Sequence, residues 1–162
     1  MLFRSIKNLL CAFIVSGAVY FSGIATSINM IPNMQSFHLL STTVKLIFCS
    51  SMCLEILLDI HDYKGDKNEK VYTIPVIFGK DIALLLSLIF LESGIIVSTI
   101  ETLHYPIFIP ISFYVYSLPI FSNIVNCNSE KYSEESILKV TNKTSRFLMF
   151  SLLTFFYCAL NI

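Results

Sequence analysis

The sequence predicts an all-α integral membrane protein with about five transmembrane helices. Hydrophobic residues make up 55% of the 162 residues and charged residues only 14%. Soluble domains contain about 45–50% hydrophobic and about 25% charged residues. The charges are also unevenly spread, since no Asp, Glu, Lys or Arg lies between Lys7 and Lys45. These features exclude a disordered chain and a nucleic-acid-binding protein that depends on bulk positive charge.

Five windows have the length and composition of membrane-spanning helices, which need roughly 20 mostly apolar residues. They cover residues 8–28, 37–58, 82–102, 105–125 and 147–162. The last window is the shortest, and the first is also similar to a signal peptide because two basic residues precede its apolar run. We expect the connections to be an uncharged turn at Pro32, a charged loop (59–81), a tight turn (103–104) and a polar loop (126–146).

The basic residues predict the orientation of the chain in the membrane. With five spans, every one of the eleven Lys and Arg residues except Lys45 falls on the side of the N-terminus and of the loops 59–81 and 126–146. An excess of Lys and Arg marks the cytoplasmic side of membrane proteins. We therefore expect both charged loops to face the cytosol or the equivalent interior of an organelle.

Four acidic residues follow the second predicted span with helical spacing. They are Glu55, Asp59, Asp62 and Asp66. Separations of four, three and four residues place such side chains on one side of a helix, where like charges repel. A divalent cation is one physical reason to keep them together, because Mg²⁺ takes oxygen ligands from one or two carboxylates and from a substrate phosphate.

The residues around these acids allow two interpretations. Lys64, Lys67 and Lys70 lie beside them and suit a diphosphate held through a bridging metal ion, and Gly65 allows the backbone to turn before Asp66. The simpler interpretation is a solvated acidic helix end without a ligand. Residues 59–66 lack the ligand pattern of an EF-hand, and the spacing alone leaves both interpretations open.

The same segment resembles a known family motif. The sequence L-D-I-H-D-Y-K-G-D-K at residues 58–67, followed by T-I-P-V-I-F-G at residues 73–79, resembles the second aspartate-rich motif of UbiA-type membrane prenyltransferases, D-x-x-D-x-x-G-D. Residues 5–17 are similar to the start of the fifth helix of that family, and residues 139–149 to the entry of its last helix. The resemblance implies that residues 1–162 are the C-terminal part of a nine-helix bundle, with five of its helices.

The resemblance also implies an activity. In that family, Mg²⁺ and a polyprenyl diphosphate bind at two aspartate-rich motifs, and the prenyl group passes to an aromatic or glycerol-phosphate acceptor in the membrane. It implies that Asp59, Asp62 and Asp66 are the metal-binding and catalytic acids here, and that Lys67 and Lys70 contact the diphosphate. No nucleic acid is expected as a partner.

Three features differ from the family pattern. The first aspartate-rich motif is absent, Tyr72 occupies a position where Lys or Arg is usual, and Lys70 one where Gly is usual. We therefore expect an incomplete transferase that is inactive alone, whether from a truncated reading frame, from a split protein completed by a second chain, or from a decayed copy. The alternatives are a small non-enzymatic membrane protein or subunit whose acidic loop binds cations, and half of a transporter.

Two charged residues lie inside predicted spans, Lys45 and Glu92. A charge at mid-bilayer costs about 2.5–3.5 kcal/mol on insertion scales, so it normally faces a polar interior. The sequence leaves open a substrate contact or a hydrogen-bonded group between helices, and Lys45 has the further option of reaching the outer interface.

Overall fold

A computed structural model describes residues 3–27, 34–129 and 132–160 of the chain. All regular structure in these ranges is helical, which confirms an all-α fold. The helices of the described ranges are α1 (Phe3–Ser27), α2 (Met34–His61), α3 (Tyr63–Asn68), α4 (Ile74–Phe78), α5 (Lys80–Glu101), α6 (Phe108–Ser129) and α7 (Glu134–Leu160). The predicted turn at Pro32 and the last two residues of the fifth window lie outside the described residues.

Within the described residues, two helices are long and apolar enough to cross a membrane. They are Ile6–Ala25, which lies within α1, and Lys80–Glu101, which is α5, and a shorter apolar stretch covers Phe108–Ile124 in α6. These segments correspond to the first, third and fourth windows of the sequence. The five-span topology and its orientation stay predictions.

The central helix of the fold is α2. It packs against α1, α5 and α7, and α6 packs against α5 and α7. Helices α2, α5, α6 and α7 therefore form a four-helix bundle, and α1 lies on the outside of α2. Apolar side chains fill the bundle, among them the fully buried Leu91, Phe113 and Phe147.

A glycine sets the close approach of α2 and α5. A Cβ atom added at Gly94 would lie 3.0 Å from Cβ of Cys49 and 3.2 Å from Cδ1 of Leu46. Both distances are shorter than ordinary carbon contacts. The missing side chain of Gly94 therefore lets the two helix backbones come together, as small residues do in membrane helix pairs.

Both segments predicted as charged loops are largely helical. Within residues 59–81 lie the end of α2, the short helices α3 and α4, and the start of α5; within 126–146, α6 continues to Ser129 and α7 begins at Glu134. Ser133 precedes α7 and its hydroxyl accepts a hydrogen bond from the amide of Ser136, a typical N-cap. The sequence missed these helices because hydropathy identifies only apolar windows. Glu, Lys and Leu favour helix whether or not a membrane surrounds them.

Candidate functional site

The candidate site lies where α2 ends and α3, α4 and α5 begin. Asp59 belongs to the last turn of α2, Asp62 forms the junction, and Asp66 lies in α3. The amide of Asp62 donates to the carbonyl of Leu58 (2.9 Å), and the amide of Asp66 donates to the carbonyl of Asp62 (3.0 Å). The chain thus keeps helical hydrogen bonding across the junction, which sets how the acids follow one another.

The three predicted acids lie in different environments. Asp59 and Asp66, seven residues apart, are each only 3% exposed, whereas the Asp62 side chain is 45% exposed. Glu55, the first acid of the spaced set, is half-buried. Two carboxylates of the motif therefore face the protein and one faces outward.

Asp59 is held by a residue from another helix. The side-chain amide of Asn8 in α1 donates to Oδ2 of Asp59 at 2.8 Å, and Asn8 is itself 2% exposed. A buried carboxylate is costly unless it accepts hydrogen bonds, and a bond to a charged group contributes about 1.5–3 kcal/mol. The sequence analysis missed Asn8, although it is the first polar residue of the first predicted span.

The exposed acid has a histidine beside it. Nδ1 of His61 lies 2.9 Å from Oδ1 of Asp62, and both side chains are partly exposed. The position of Asp62 at the junction leaves its carboxylate on the surface of the site. Of Asp59, Asp62 and Asp66, it is the acid with the most exposed side chain.

The segment after Asp66 ends α3 with a Schellman turn. The amide of Val71 donates to the carbonyl of Asp66 at 2.8 Å, the amide of Lys70 approaches the carbonyl of Lys67 at 3.4 Å, and Lys70 has a positive φ of 55°. Glycine is the residue that most easily adopts this conformation. The geometry therefore explains why Gly is usual here in the family that the motif resembles, and Lys70 keeps the turn with an exposed side chain.

A lysine that the sequence analysis did not select lies between two aromatic rings. Nζ of Lys80, at the start of α5, is 4.8 Å from the ring centroid of Tyr63 and 5.6 Å from that of Tyr132. Nζ of Lys67 also lies over the Tyr63 ring, at 5.7 Å. These distances are in the range of cation–π contacts, so Lys80 links α3 to the turn between α6 and α7.

Tyr132 completes this junction through its hydroxyl group, which donates a hydrogen bond to Oδ1 of Asp81. Burial and this bond to a carboxylate raise the pKa of Tyr132 above its usual range. The phenol therefore remains a donor beyond the pH at which an ordinary tyrosine ionises. Tyr132, like Lys70, has a positive φ, here 58°.

The described part of the chain contains no group of three or more His, Cys, Asp or Glu side chains placed to hold a metal ion. The three predicted ligands are therefore not gathered into a cage. Mg²⁺ commonly uses only one or two protein carboxylates and completes its shell with water and phosphate oxygens. The exposed carboxylate of Asp62 is suited to be one such ligand. Binding of Mg²⁺ stays a prediction.

An apolar groove of about 450 Å³ lies between α1, α2 and α5. Its wall includes Phe13 and Phe48, whose ring centroids are 5.0 Å apart. Lys45 borders the groove, and its ammonium group lies 3.3 Å from Oε1 of Glu101. Lys45 thus pairs with the end of α5 rather than with Glu92, which is exposed.

Comparisons with models of known protein families, with curated proteins and with solved structures found no match for this chain. The resemblance to UbiA-type prenyltransferases therefore rests on the motif residues themselves. Membership of that family stays a hypothesis.

Proposed function

We propose that this chain is the part of a UbiA-type membrane prenyltransferase that carries the second aspartate-rich motif. The complete enzyme would transfer a prenyl group from a polyprenyl diphosphate to an aromatic or glycerol-phosphate acceptor, with Mg²⁺ as cofactor. The observation that carries the proposal is the burial of Asp59 and Asp66 at one end of the bundle. Burying a carboxylate is costly, so two buried carboxylates close to one helix junction favour a function for that junction.

A membrane location supports the same proposal. Besides the two long apolar helices, large apolar side chains are widely exposed, including Ile14 (69%), Phe21 (71%) and Ile107 (71%). Extensive exposed apolar surface is unusual for a soluble monomer. With the positive-inside distribution of Lys and Arg, it favours a multi-pass protein whose segment 59–81 faces the cytosol.

Four of the predicted site residues have a role that their environment allows. Asp62, exposed at the helix junction, would offer its carboxylate to Mg²⁺, and Asn8 fixes the buried Asp59 behind it. Lys67 and Lys70 are exposed on the next turn, within the segment where a diphosphate would lie, and ammonium groups bind phosphate oxygens as point charges. When bound, the metal ion would neutralise charge on the diphosphate and make it a better leaving group.

Turnover would need more than these residues. The 162 residues carry one aspartate-rich motif, and the family chemistry uses two. A further segment or a second chain would supply the other one. We therefore expect the chain by itself to bind ligands at the motif without catalysing transfer.

Limited proteolysis in detergent micelles tests this binding. We expect segment 59–81 to be protected only when Mg²⁺ and a polyprenyl diphosphate are both present. Asp62→Asn should remove the protection, whereas Glu69→Gln, a change of another exposed acid in the same segment, should leave it intact. Cleavage that is unaffected by both ligands at every concentration would refute an intact site.

Two observations favour the second candidate, a non-enzymatic membrane subunit with a cation-binding acidic segment. Asp62 is already paired with His61, and the described residues offer no cage of three ligands. A site of that kind would bind cations weakly and without a substrate phosphate. Protection by Mg²⁺ alone, unchanged by addition of the diphosphate, would support this candidate over the transferase.

A further inference from the structure

The apolar groove beside α2 has a floor and two walls that come from three helices. Among the described helices, α1 and α5 each pack on α2, but they share no extensive contact with each other. The gap between them leaves about 450 Å³ open above α2, within the about 300–1,000 Å³ of small-molecule sites. Phe48 of α2, Phe13 of α1 and Val97 of α5 line it. The groove therefore suits an apolar chain.

Gly17 keeps the α1 wall of the groove open. It lines the groove, and a Cβ atom added to it would meet nothing within 4 Å. Glycine is unfavourable inside a helix, and at Gly23 and Gly94 a close contact with α2 accounts for it. No such contact with a described residue accounts for Gly17. Its missing side chain leaves room in the groove rather than room for a neighbouring helix.

A cation and an anion lie together at one end of the groove. Lys45 lines the groove, and its Nζ is 3.3 Å from Oε1 of Glu101. The two side chains are 48% and 32% exposed, so a further charged group can reach both. An ammonium group binds phosphate oxygens, and a carboxylate accepts hydrogen bonds from an ammonium group. The pair is therefore complementary to a headgroup that carries one phosphate and one ammonium group.

We propose that the groove binds one glycerophospholipid with a phosphoethanolamine headgroup. One acyl chain lies over Phe48 and against Gly17, the phosphate contacts Lys45, and the ammonium group contacts Glu101. An anionic headgroup would add a negative charge beside Glu101, and a choline headgroup has no N–H to donate. The inference rests on the membrane location proposed above and is independent of the transferase activity.

The depth of the groove agrees with a lipid of one leaflet. At a rise of about 1.5 Å per residue, Glu101 lies about 31 Å along α5 from Lys80, close to the about 30 Å of a hydrocarbon core. The ion pair therefore lies at the interface opposite the candidate site. Phe13 lies roughly 15 Å along α1 from Phe3. The groove thus runs from that interface to the middle of the bilayer, the depth that one acyl chain occupies.

Native mass spectrometry of the full chain in detergent tests the site. The chain is offered equal amounts of dioleoyl phosphatidylethanolamine, phosphatidylcholine and phosphatidylglycerol. We expect one bound lipid per chain, with phosphatidylethanolamine preferred about 2- to 5-fold, the range for one exposed charge pair. Lys45→Gln should weaken the binding of all three lipids, since each carries a phosphate. Glu101→Gln should shift the preference towards phosphatidylglycerol, whereas a merely structural role of Glu101 would change the three lipids alike.

Three further variants locate the bound lipid. Gly17→Leu should abolish binding because its side chain fills the groove. Ala18→Leu, at an exposed neighbouring position outside the groove, is the matched control and should bind like the original chain. Asp62→Asn should also bind lipid normally, so a failure of the transferase proposal and a failure of this one are distinguishable. Equal occupancy by the three lipids, or binding to Gly17→Leu as tight as to the original chain, would overturn the inference.

Discussion

Helices α1 and α5 both lie against α2, but they are held in different ways. The contact of α1 uses residues one turn apart, Asn8, Ala12 and Ser16, each at most 4% exposed, and only 17% of its apolar span is buried. Of the α5 span, 39% is buried, including Leu91 and Ile95 on the bundle side.

The difference distinguishes α5, a scaffold helix that belongs to the bundle core, from α1, an attached helix on the outside of the bundle. Helix α5 belongs to the bundle core, where apolar contacts and the close approach at Gly94 fix its position. Helix α1 is held by the bond from Asn8 to Asp59 at one end, by small residues along its seam, and by the close approach of Gly23 to the Leu40 side chain of α2 near its other end.

The largest expected effect comes from breaking the α2–α5 contact at Gly94. Gly94→Leu forces a side chain against Cys49 and Leu46, and overpacking of this kind costs about 3 kcal/mol. The matched control is Gly17→Leu in α1, because a Cβ atom there meets nothing within 4 Å. It should be neutral or stabilising, since Leu is a better helix former than Gly by up to about 1 kcal/mol.

The measurement is the free energy of unfolding in mixed micelles, followed by circular dichroism. Equal losses from the two glycine substitutions would mean that α1 packs as tightly as α5. That result would contradict the distinction between scaffold and attached helix.

The next effect tests the polar attachment of α1. Asn8→Leu removes the amide that bonds to the buried Asp59, and we expect a loss of about 1.5–3 kcal/mol. In a double-mutant cycle with Asp59→Leu, the two losses should be strongly non-additive, because the residues are in direct contact. Leu10→Ala, at a half-exposed position of the same helix, is the control. Additive losses would show that the bond does not hold α1.

The sequence predicted the apolar helices better than the contacts between them. Composition identified α1, α5 and the apolar part of α6, because a 20-residue apolar run has few alternatives to helix. It missed that α6 continues to Ser129 and that α7 begins at Glu134, and it grouped Asp59, Asp62 and Asp66 as equivalent acids. Which of these acids is buried depends on where α1 and α3 pack, and spacing along one helix holds no information about that packing.

The tertiary contacts of the site could not be predicted from the sequence for the same reason. Asn8 lies 51 residues from Asp59, and Tyr132 the same distance from Asp81. Gly65 was expected to let the backbone turn before Asp66, but it lies within α3, and the positive φ falls at Lys70 instead. Neither the position of this turn nor the tertiary partners of the acids could be predicted from spacing along the chain.

The contacts of Lys80 test whether α3 is held mainly by polar contacts, as α1 is, or by apolar packing in the bundle, as α5 is. Lys80→Met removes a cation from two rings and should cost about 1–2 kcal/mol, at about 0.5–1 kcal/mol per exposed ring. Lys80→Arg should retain most of the stability, and Lys67→Met, with one ring at 5.7 Å, should cost less. Hydrogen exchange of the α3 amides measures the change. Equal protection in Lys80→Met and the original chain would contradict a role for Lys80 in holding α3.

The smallest effect is expected at the opposite end of the α2–α5 contact, where Lys45 pairs with Glu101. The two side chains are 48% and 32% exposed, and exposed ion pairs contribute about 0.2–1 kcal/mol. Lys45→Gln should therefore lower the free energy of unfolding by less than Asn8→Leu, and the difference should shrink in high salt because of screening. Glu135→Gln is the control, since its pair with Lys139 joins residues of one helix and ties no two helices together. If Lys45→Gln lowered the free energy of unfolding as much as Asn8→Leu, a polar contact would also hold α5 in place. The two helices would then not be held in different ways.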